Sequence, residues 1–322
     1  KNWLGKGILE ACYVDLLQDQ YINIIPGQSL VKNLGLKNTD HIPLSKKIKI
    51  AKERIIPYFI SGNYSKNQNL FVISFDIYDS KSGLVIYSNK IEDDNLFSLI
   101  DNITLEIRSG VGLTQDNIEE SINLPISSQL TESMIAFEYY IKGLLSKQEN
   151  NNQLALNMFN KSIKEDPYFT WVYFESGSIY FRSNQMDSLY ISLEKTIKNI
   201  DRFPGYKRCE VKYIYYYLNK EPEKLFKVLE NWVIQFPNNI DGHQKISEQY
   251  SHKGMFDESI DHQYKILDLD PSHYNSFWMI GGLYQKKGNY NQAILYRKKY
   301  MNATKPTLEG YIYLGDIFQE IG

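Results

Sequence analysis

Residues with the chemistry for catalysis or metal binding are few in this chain, and they are scattered along it. The two cysteines, Cys12 and Cys209, stand far apart, which excludes a disulfide framework and a cysteine-rich zinc site. The histidines form neither a His-x-x-x-His pair nor a zinc-protease motif. They are His41, His243, His252, His262 and His273. His252 and His262 could approach each other in a folded repeat, but we expect both to be solvated helix residues.

Phosphate-binding and acid–base patterns lack their essential partners. Gly5-Lys6-Gly7 has no Gly-x-x-x-x-Gly-Lys-Ser/Thr frame around it. The carboxylate pairs Glu119-Glu120 and Asp93-Asp94 are adjacent in sequence only, without a His, a Lys or a second acid pair nearby to suggest general acid–base work. We therefore expect no catalytic residue, no cofactor and no metal, and we expect that this chain is not an enzyme.

Composition narrows the class of partner. The chain has 322 residues, with 36 Lys and Arg against 38 Asp and Glu, for a formal net charge of -2. This near-balance argues against a strongly basic nucleic-acid-binding protein. A mean hydropathy of -0.42 and the lack of a run of about eighteen apolar residues argue against a membrane span. Because the sequence begins at Lys1 without a Met or a signal pattern, we expect a longer protein, whose membrane attachment would lie in a segment absent from this chain.

The second half of the chain is organised as a repeat. In the fourth unit, Ser247, Gly254, Ser259 and Pro271 occupy positions eight, fifteen, twenty and thirty-two, and large residues fill the positions between them. Five units share this register, over residues 136–169, 170–203, 206–239, 240–273 and 274–307. A sixth begins near Thr307 and the sequence ends at its turn, so we expect the array to continue. The pattern resembles tetratricopeptide (TPR) repeats, which implies paired helices stacked into a superhelix.

In the fold that this resemblance implies, positions two, five, nine, twelve and thirteen of each first helix line a concave groove. Aromatic residues occur there although the core positions already hold others, such as Tyr173 and Tyr250. We therefore predict a groove that binds a protein or peptide partner. The predicted groove residues are Phe137, Tyr140, Trp171, Phe174, Phe181, Arg182, Tyr217, Gln244, Trp278 and Lys286. Packing against the N-terminal domain, or self-association as a homodimer, are the alternatives for the same aromatic residues.

Residues 1–111 predict a small α+β domain with a mixed sheet and helices, followed by the all-α TPR superhelix. Phe71, Ile73, Phe75 and Ile77 alternate with more polar residues, which predicts a half-buried strand. Helices are predicted over 3–17, 45–55 and 95–111, and strands over 21–25, 58–64, 69–79 and 84–91. Residues 112–131 are polar and contain Pro125, so we predict a linker there, before an array over 132–322.

Several segments of the N-terminal region resemble the TolB amino-terminal-like domain. They are Trp3–Glu10, Tyr58–Asn63, Phe75–Gly83 and Asp93–Phe97. In bacteria this domain commonly precedes TPR repeats. The family usually opens with a strand ending in Pro-Phe, and this sequence begins after that point. We therefore expect an incomplete sheet with an exposed edge beside Tyr21–Ile25 or Tyr58–Tyr64, which could accept a partner strand.

The resemblance implies a non-catalytic sensor or interaction region of a bacterial membrane-tethered signalling protein, on the periplasmic side of the membrane. Two other functions remain open. The chain could be a soluble cytoplasmic scaffold or adaptor. It could also be the regulatory region of an enzyme, with a Ser/Thr kinase or nucleotide cyclase domain upstream.

Overall fold

The computed structural model describes residues 3–26, 42–120, 123–304 and 308–321. The chain divides into two compact units, Lys1–Tyr215 and Tyr216–Gly322. His41 and Thr307 lie outside the described residues. No helix among the described residues is both long enough and apolar enough to cross a membrane.

The first unit begins with a helix, a second helix and a three-stranded sheet, and continues into the repeats. Its elements are α1 (Trp3–Leu16), α2 (Leu44–Glu53), β1 (Tyr58–Asn67), β2 (Leu70–Asp79), β3 (Val85–Asp93), α3 (Leu96–Gly110), α4 (Gln115–Glu120), α5 (Ile126–Gln129), α6 (Met134–Gln148), α7 (Asn152–Glu165), α8 (Thr170–Arg182), α9 (Met186–Lys198) and a 3-10 turn (Ile200–Arg202). Helix α10 (Gly205–Leu218) spans the division. The second unit continues with α11 (Pro222–Gln235), α12 (Ile240–His252), α13 (Phe256–Leu269), α14 (Asn275–Lys286), α15 (Tyr290–Thr304) and α16 (Leu308–Ile321).

The sheet is an antiparallel meander in the order β1-β2-β3. The predicted alternation is confirmed, because Phe71, Ile73, Phe75 and Ile77 on β2 are all buried on the face that packs against α3. The β2–β3 turn contains Gly83 at a φ of 77°, a conformation that glycine adopts without steric cost. Within the described residues both β1 and β3 lie at an edge of the sheet.

The predicted strand over Tyr21–Ile25 is not formed, so the described sheet is antiparallel throughout and not mixed. Tyr21 in this segment forms hydrogen bonds with side chains and not with a neighbouring strand. The carboxylate of Asp19 accepts the backbone N–H of Tyr21 at 2.7 Å, and the Tyr21 hydroxyl donates to Glu120 at 2.7 Å. These side-chain hydrogen bonds hold the segment, and the alternation of five residues was too short to predict pairing with a neighbouring strand.

The segment predicted as a linker, 112–131, is partly helical and packs against the rest of unit 1. It contains α4 and α5, and Ile126 and Leu130 are fully buried. The backbone N–H of Ile126 donates to the Asp101 carboxylate of α3 at 2.8 Å. One hydrophobic core contains Ile77 and Leu99 of the α/β part together with Phe159 of the first repeat. The domain boundaries predicted at residues 111 and 132 fall inside unit 1 and stay predictions from sequence.

In the first, second, fourth and fifth repeats the two helices pair as the 34-residue register predicts. Helix α6 packs with α7 and α8 with α9 in unit 1, while α12 packs with α13 and α14 with α15 in unit 2. The small residues of the fourth repeat also hydrogen-bond to each other's backbone. The Ser247 hydroxyl donates to the Ser259 carbonyl at 2.9 Å, and the Ser259 hydroxyl donates back at 2.8 Å. Serine at positions eight and twenty thus lets the two helices approach closely, and its hydroxyl groups are hydrogen-bonded within the helix contact.

A buried ion cluster fixes α1 to α3 in unit 1, and the sequence patterns gave no sign of it. The Arg108 guanidinium, 1% exposed, lies 3.4 Å from a carboxylate oxygen of Asp15 and 3.2 Å from one of Asp19. It also donates to the Asp15 carbonyl oxygen at 3.1 Å. The Thr104 hydroxyl donates to the Asp15 carboxylate. Charges buried this deeply require such partners, since isolated they would be strongly destabilising.

Candidate interaction surface

Three of the predicted groove residues lie in the core of unit 1. Phe137 and Tyr140 are 0% exposed and Trp171 is 3% exposed. Tyr140 packs against Phe169 with ring centroids 4.8 Å apart, and Trp171 against Phe203 at 4.7 Å. These side chains are therefore inaccessible to an external peptide. Phe137 packs against Trp3 and Phe97 of the N-terminal domain, whereas the ring contacts of Tyr140 and Trp171 given above are with residues of the repeats.

Helix α1 is what covers the first-helix face of repeat one. The ring of Trp3 contacts that of Phe137 edge-on, with centroids 6.3 Å apart. A Cβ atom at Gly7 would lie 3.1 Å from the Phe137 ring, so the small residue lets α1 approach α6 closely. Ile8 and Val14 of α1 and Leu144 of α6 belong to the same core. Phe137, at position two of the first repeat, thus contacts a helix from the same chain.

Charged side chains continue this contact toward the second and third repeats. On α1, Lys6 and Glu10 form an ion pair with Nζ and Oε2 3.6 Å apart. Burial raises the pKa of Glu10, and the charges of Lys6 and Lys207 oppose that rise while Glu175 adds to it. Burial alone would lower the pKa of Lys207, but Glu210 and then Glu175 raise it above its ordinary value.

These groups connect successive first helices. Lys147 of α6 donates to both Glu175 and Ser178 of α8. Lys207 of α10 pairs with Glu210, with Nζ and Oε2 2.7 Å apart. We call the two ion pairs Lys147–Glu175 and Lys207–Glu210 the charged ladder; the sequence patterns did not predict it. One signal was present, because Lys147, Ser178, Lys207 and Glu210 all occupy groove positions of the repeat.

The remaining predicted residues of unit 1 are more accessible. On α8, Phe181 is 57% exposed and Arg182 is exposed. Phe174 is half-buried, and the Lys207 ammonium lies 4.7 Å from the centre of its ring. The first-helix face of unit 1 therefore has a covered part, beneath α1, and an exposed part at the C-terminal end of α8.

The predicted residues of the second unit lie on its first helices. Gln244 and Trp278 are half-buried, and Lys286 and Tyr217 are exposed. The Arg297 guanidinium carbon lies 3.5 Å from the centre of the Trp278 ring. Side chains at positions twelve and thirteen join neighbouring first helices: Lys286 donates to Ser251 at 3.2 Å, and Gln285 donates to Glu320 at 3.0 Å. In this unit the predicted groove residues combine two aromatic side chains, Tyr217 and Trp278, with the polar side chains of Gln244 and Lys286.

The described residues contain no group of three or more His, Cys, Asp or Glu that could hold a metal. Burial raises the pKa of the Cys12 thiol to about 12, which disfavours a thiolate. His262, predicted to be solvated, instead faces His243 with Nδ1 atoms 2.8 Å apart. His252 is exposed, as predicted.

Comparison with known proteins supports the fold and goes no further. No family model matches this sequence, and no curated protein matches it. Among solved structures, PilW, described as a widely conserved type IV pilus biogenesis factor, is 13% identical with a TM-score of 0.52, covering 59% of this chain and 87% of its own. YrrB, described as a TPR protein with an unusual peptide-binding site, is 17% identical with a TM-score of 0.43, covering 55% of this chain and 91% of its own. Pseudomonas aeruginosa pilF is 12% identical with a TM-score of 0.46, covering 58% of this chain and 84% of its own.

The fold class predicted from the sequence is therefore confirmed. A small antiparallel sheet with its helices precedes an array of TPR-like helical hairpins. The resemblance of residues 1–111 to the TolB amino-terminal-like domain has no counterpart among these matches and stays a prediction.

Proposed function

We propose that this chain is a non-catalytic protein-interaction region that binds a protein or peptide partner on the first-helix face of its repeats. The observation that carries the proposal is the seating of α1 on that face. Trp3 and Gly7 contact Phe137, and Lys6 and Glu10 meet the charged ladder of the next repeats. A surface that binds one amphipathic helix has the aromatic and ionic groups to bind another.

In unit 1 the partner site is the part of the first-helix face that α1 leaves exposed, where Phe181 and Arg182 lie. Unit 2 has first-helix groove residues of its own, Gln244, Trp278 and Lys286. Exposed Phe and Tyr side chains at Phe181 and Tyr217 favour association, because burying a large aromatic side chain is worth roughly 1.5–3 kcal/mol. No contact with nucleic acid is part of the proposal, in keeping with the near-zero net charge.

The order of the two regions supports one biological setting for this proposal. An α/β domain before TPR repeats favours the sensor region of a membrane-tethered bacterial signalling protein, with this part in the periplasm. A soluble adaptor, and the regulatory region of an upstream kinase or cyclase, are the alternatives. Sequence upstream of Lys1 distinguishes the three, since each requires a different segment there.

Site-specific photo-crosslinking tests the partner surface. A benzoylphenylalanine at Phe181 should form an adduct with a discrete partner in the source organism. The matched control is Ile191, which is 61% exposed on the second helix α9, against 57% for Phe181. An adduct of twice the chain mass would identify a homodimer. Equal crosslinking at Phe181 and Ile191, or none at either position, would contradict the proposed surface.

A further inference from the structure

A pair of histidines connects the two helices of the fourth repeat in unit 2. His243 lies on α12 and His262 on α13, and their Nδ1 atoms are 2.8 Å apart. His243 is only 5% exposed. Its Nε2 atom lies 2.9 Å from the carbonyl oxygen of Pro237, in the turn that leads into α12. The pair therefore ties together α12, α13 and the turn between the third and fourth repeats.

The number of protons that this arrangement accepts follows from its hydrogen bonds. A carbonyl oxygen only accepts, so His243 carries a proton on Nε2. In neutral His243 the Nδ1 atom is then an acceptor, and Nδ1 of His262 must donate to it. One added proton is tolerated, since His243 can donate from Nδ1 while His262 moves its own proton to Nε2. A second added proton places N–H groups on both Nδ1 atoms, and the two rings become like charges in contact.

The surroundings of the pair do not relieve this conflict. The Tyr250 ring of α12 stacks on His262 with centroids 5.6 Å apart, and Phe226 of α11 packs edge-on against Tyr250. Lys265 of α13 disfavours a charge on His243, while Asp261 favours one on His262. The charges of Glu230 and Glu258 act on Tyr250, and Lys253 lies over the Phe226 ring.

Burial lowers the pKa of both rings. For His262, burial and then the neighbouring His243 lower the pKa from 6.5 to about 4. For His243, burial is again the main cause of the lowered pKa. The unfolded chain therefore takes up protons near pH 6.5 that the folded chain refuses. The stability that these neutral rings contribute is complete above pH 6.5 and is lost as the pH falls toward 4.

We propose that the His243–His262 pair is an acid-sensitive joint between α12 and α13. The pair holds α12 and α13 together while the two rings share at most one added proton. The two helices separate when both rings are charged. Opening releases the Pro237 turn and α12 together. Because α12 also carries Gln244, acid loosens one of the helices whose outer face is proposed to bind a partner.

Histidine NMR on the full chain gives the first test. In a nitrogen–proton spectrum followed from pH 7.5 to 3.5, His243 and His262 should change protonation below pH 6.5, and one of them should show a tautomer change. The signals are assigned with single His→Asn variants. Two histidines that titrate independently, each near pH 6.5 and without a tautomer change, would overturn the proposal.

Hydrogen exchange with a matched pair of variants gives the second test. His262→Asn keeps a side-chain N–H that can donate to His243 but cannot become charged, and His252→Asn changes an exposed histidine of the same repeat. After correction for intrinsic exchange, amides of 240–269 should lose protection by roughly tenfold between pH 7.5 and 5, the change that one pKa unit represents. Amides of 134–165 should change far less. His252→Asn should behave as the unmodified chain, and His262→Asn should not. The same acid response in both variants, or in both segments, would show that the pair is not the joint.

Discussion

The ring of Trp3 meets the ring of Phe137 edge-on, with centroids 6.3 Å apart and planes at 80°. Trp3 begins the first helix of the chain, and Phe137 occupies position two of the first repeat. The contact therefore seats an N-terminal helix on a position that, by its place in the repeat, faces the groove. A residue at a groove position of this chain is therefore not always exposed. Mutating a buried groove residue should affect stability, whereas mutating an exposed one should not.

Phe137→Ala and Phe181→Ala separate these properties. Both residues are predicted groove aromatics, but Phe137 is 0% exposed and Phe181 is 57% exposed. Phe137→Ala should reduce the free energy of unfolding by about 3–5 kcal/mol, the usual cost of removing a buried ring. Phe181→Ala should change it by less than about 0.5 kcal/mol. Urea unfolding followed by circular dichroism measures both. Similar losses for the two variants would mean that α1 does not cover the first repeat as described.

Gly143→Ala and Gly177→Ala test the repeat register at the same position of neighbouring repeats. A Cβ atom at Gly143 would overlap the Phe159 ring, whereas one at Gly177 would lie 3.6 Å from Leu189 and Ser192. Gly143→Ala should cost about 1–3 kcal/mol by overpacking. Gly177→Ala should be neutral or stabilising by up to about 1 kcal/mol, because alanine favours the helix. Thermal melts of the two variants should shift in opposite directions or differ clearly in size; equal shifts would contradict the close approach of α6 and α7.

The repeat pattern was the most informative part of the sequence. Position eight brings two helices close together at Gly143 and Ser247, so both residues could be placed before any contact was known. The strand alternation around Phe75 was informative for the same reason, since one side of a strand must face a core. These patterns depend on neighbours close in sequence, and they are read from one segment at a time.

The buried face beneath α1 could not be predicted in this way. Whether Phe137 faces solvent depends on α1, which lies far away in the sequence. A local sequence pattern carries no information about such a distant helix. Arg108 is a similar case, because a lone Arg on α3 indicates a solvated residue until Asp15 and Asp19 are brought to it. Residues 112–131 were predicted as a linker from their polar composition, although the C-terminal end of the segment lies in the core through Ile126 and Leu130.

Arg108→Ala should be among the most destabilising single changes in unit 1. It leaves the carboxylates of Asp15 and Asp19 buried without their shared cation, and breaking a buried pair typically costs about 3–5 kcal/mol. The matched control is Lys90→Ala, whose pair with Glu92 has Nζ and Oε1 2.6 Å apart but lies on the surface. That change should cost at most about 1 kcal/mol. Urea unfolding at pH 7 compares them, and a small loss for Arg108→Ala would show that this cation is not needed to hold α1 on α3.

Asp15 should make the stability of the chain depend on pH near neutrality. Burial raises the pKa of its carboxyl from 3.8 to about 6, against the opposing effects of the Thr104 hydrogen bond and the Arg108 charge. Because the folded chain holds this proton more tightly than the unfolded chain, the contribution of Asp15 is complete below pH 3.8 and is lost as the pH rises through 6. Asp15→Asn cannot ionise. Its stability relative to the unmodified chain should therefore improve between pH 4 and pH 7, as measured by urea unfolding at each pH. Carbon NMR of the Asp15 carboxyl should show a midpoint near pH 6. A midpoint below 3.8, with the stability difference moving the other way, would mean that Arg108 and Thr104 outweigh burial and that the cluster is a fully ionised pair.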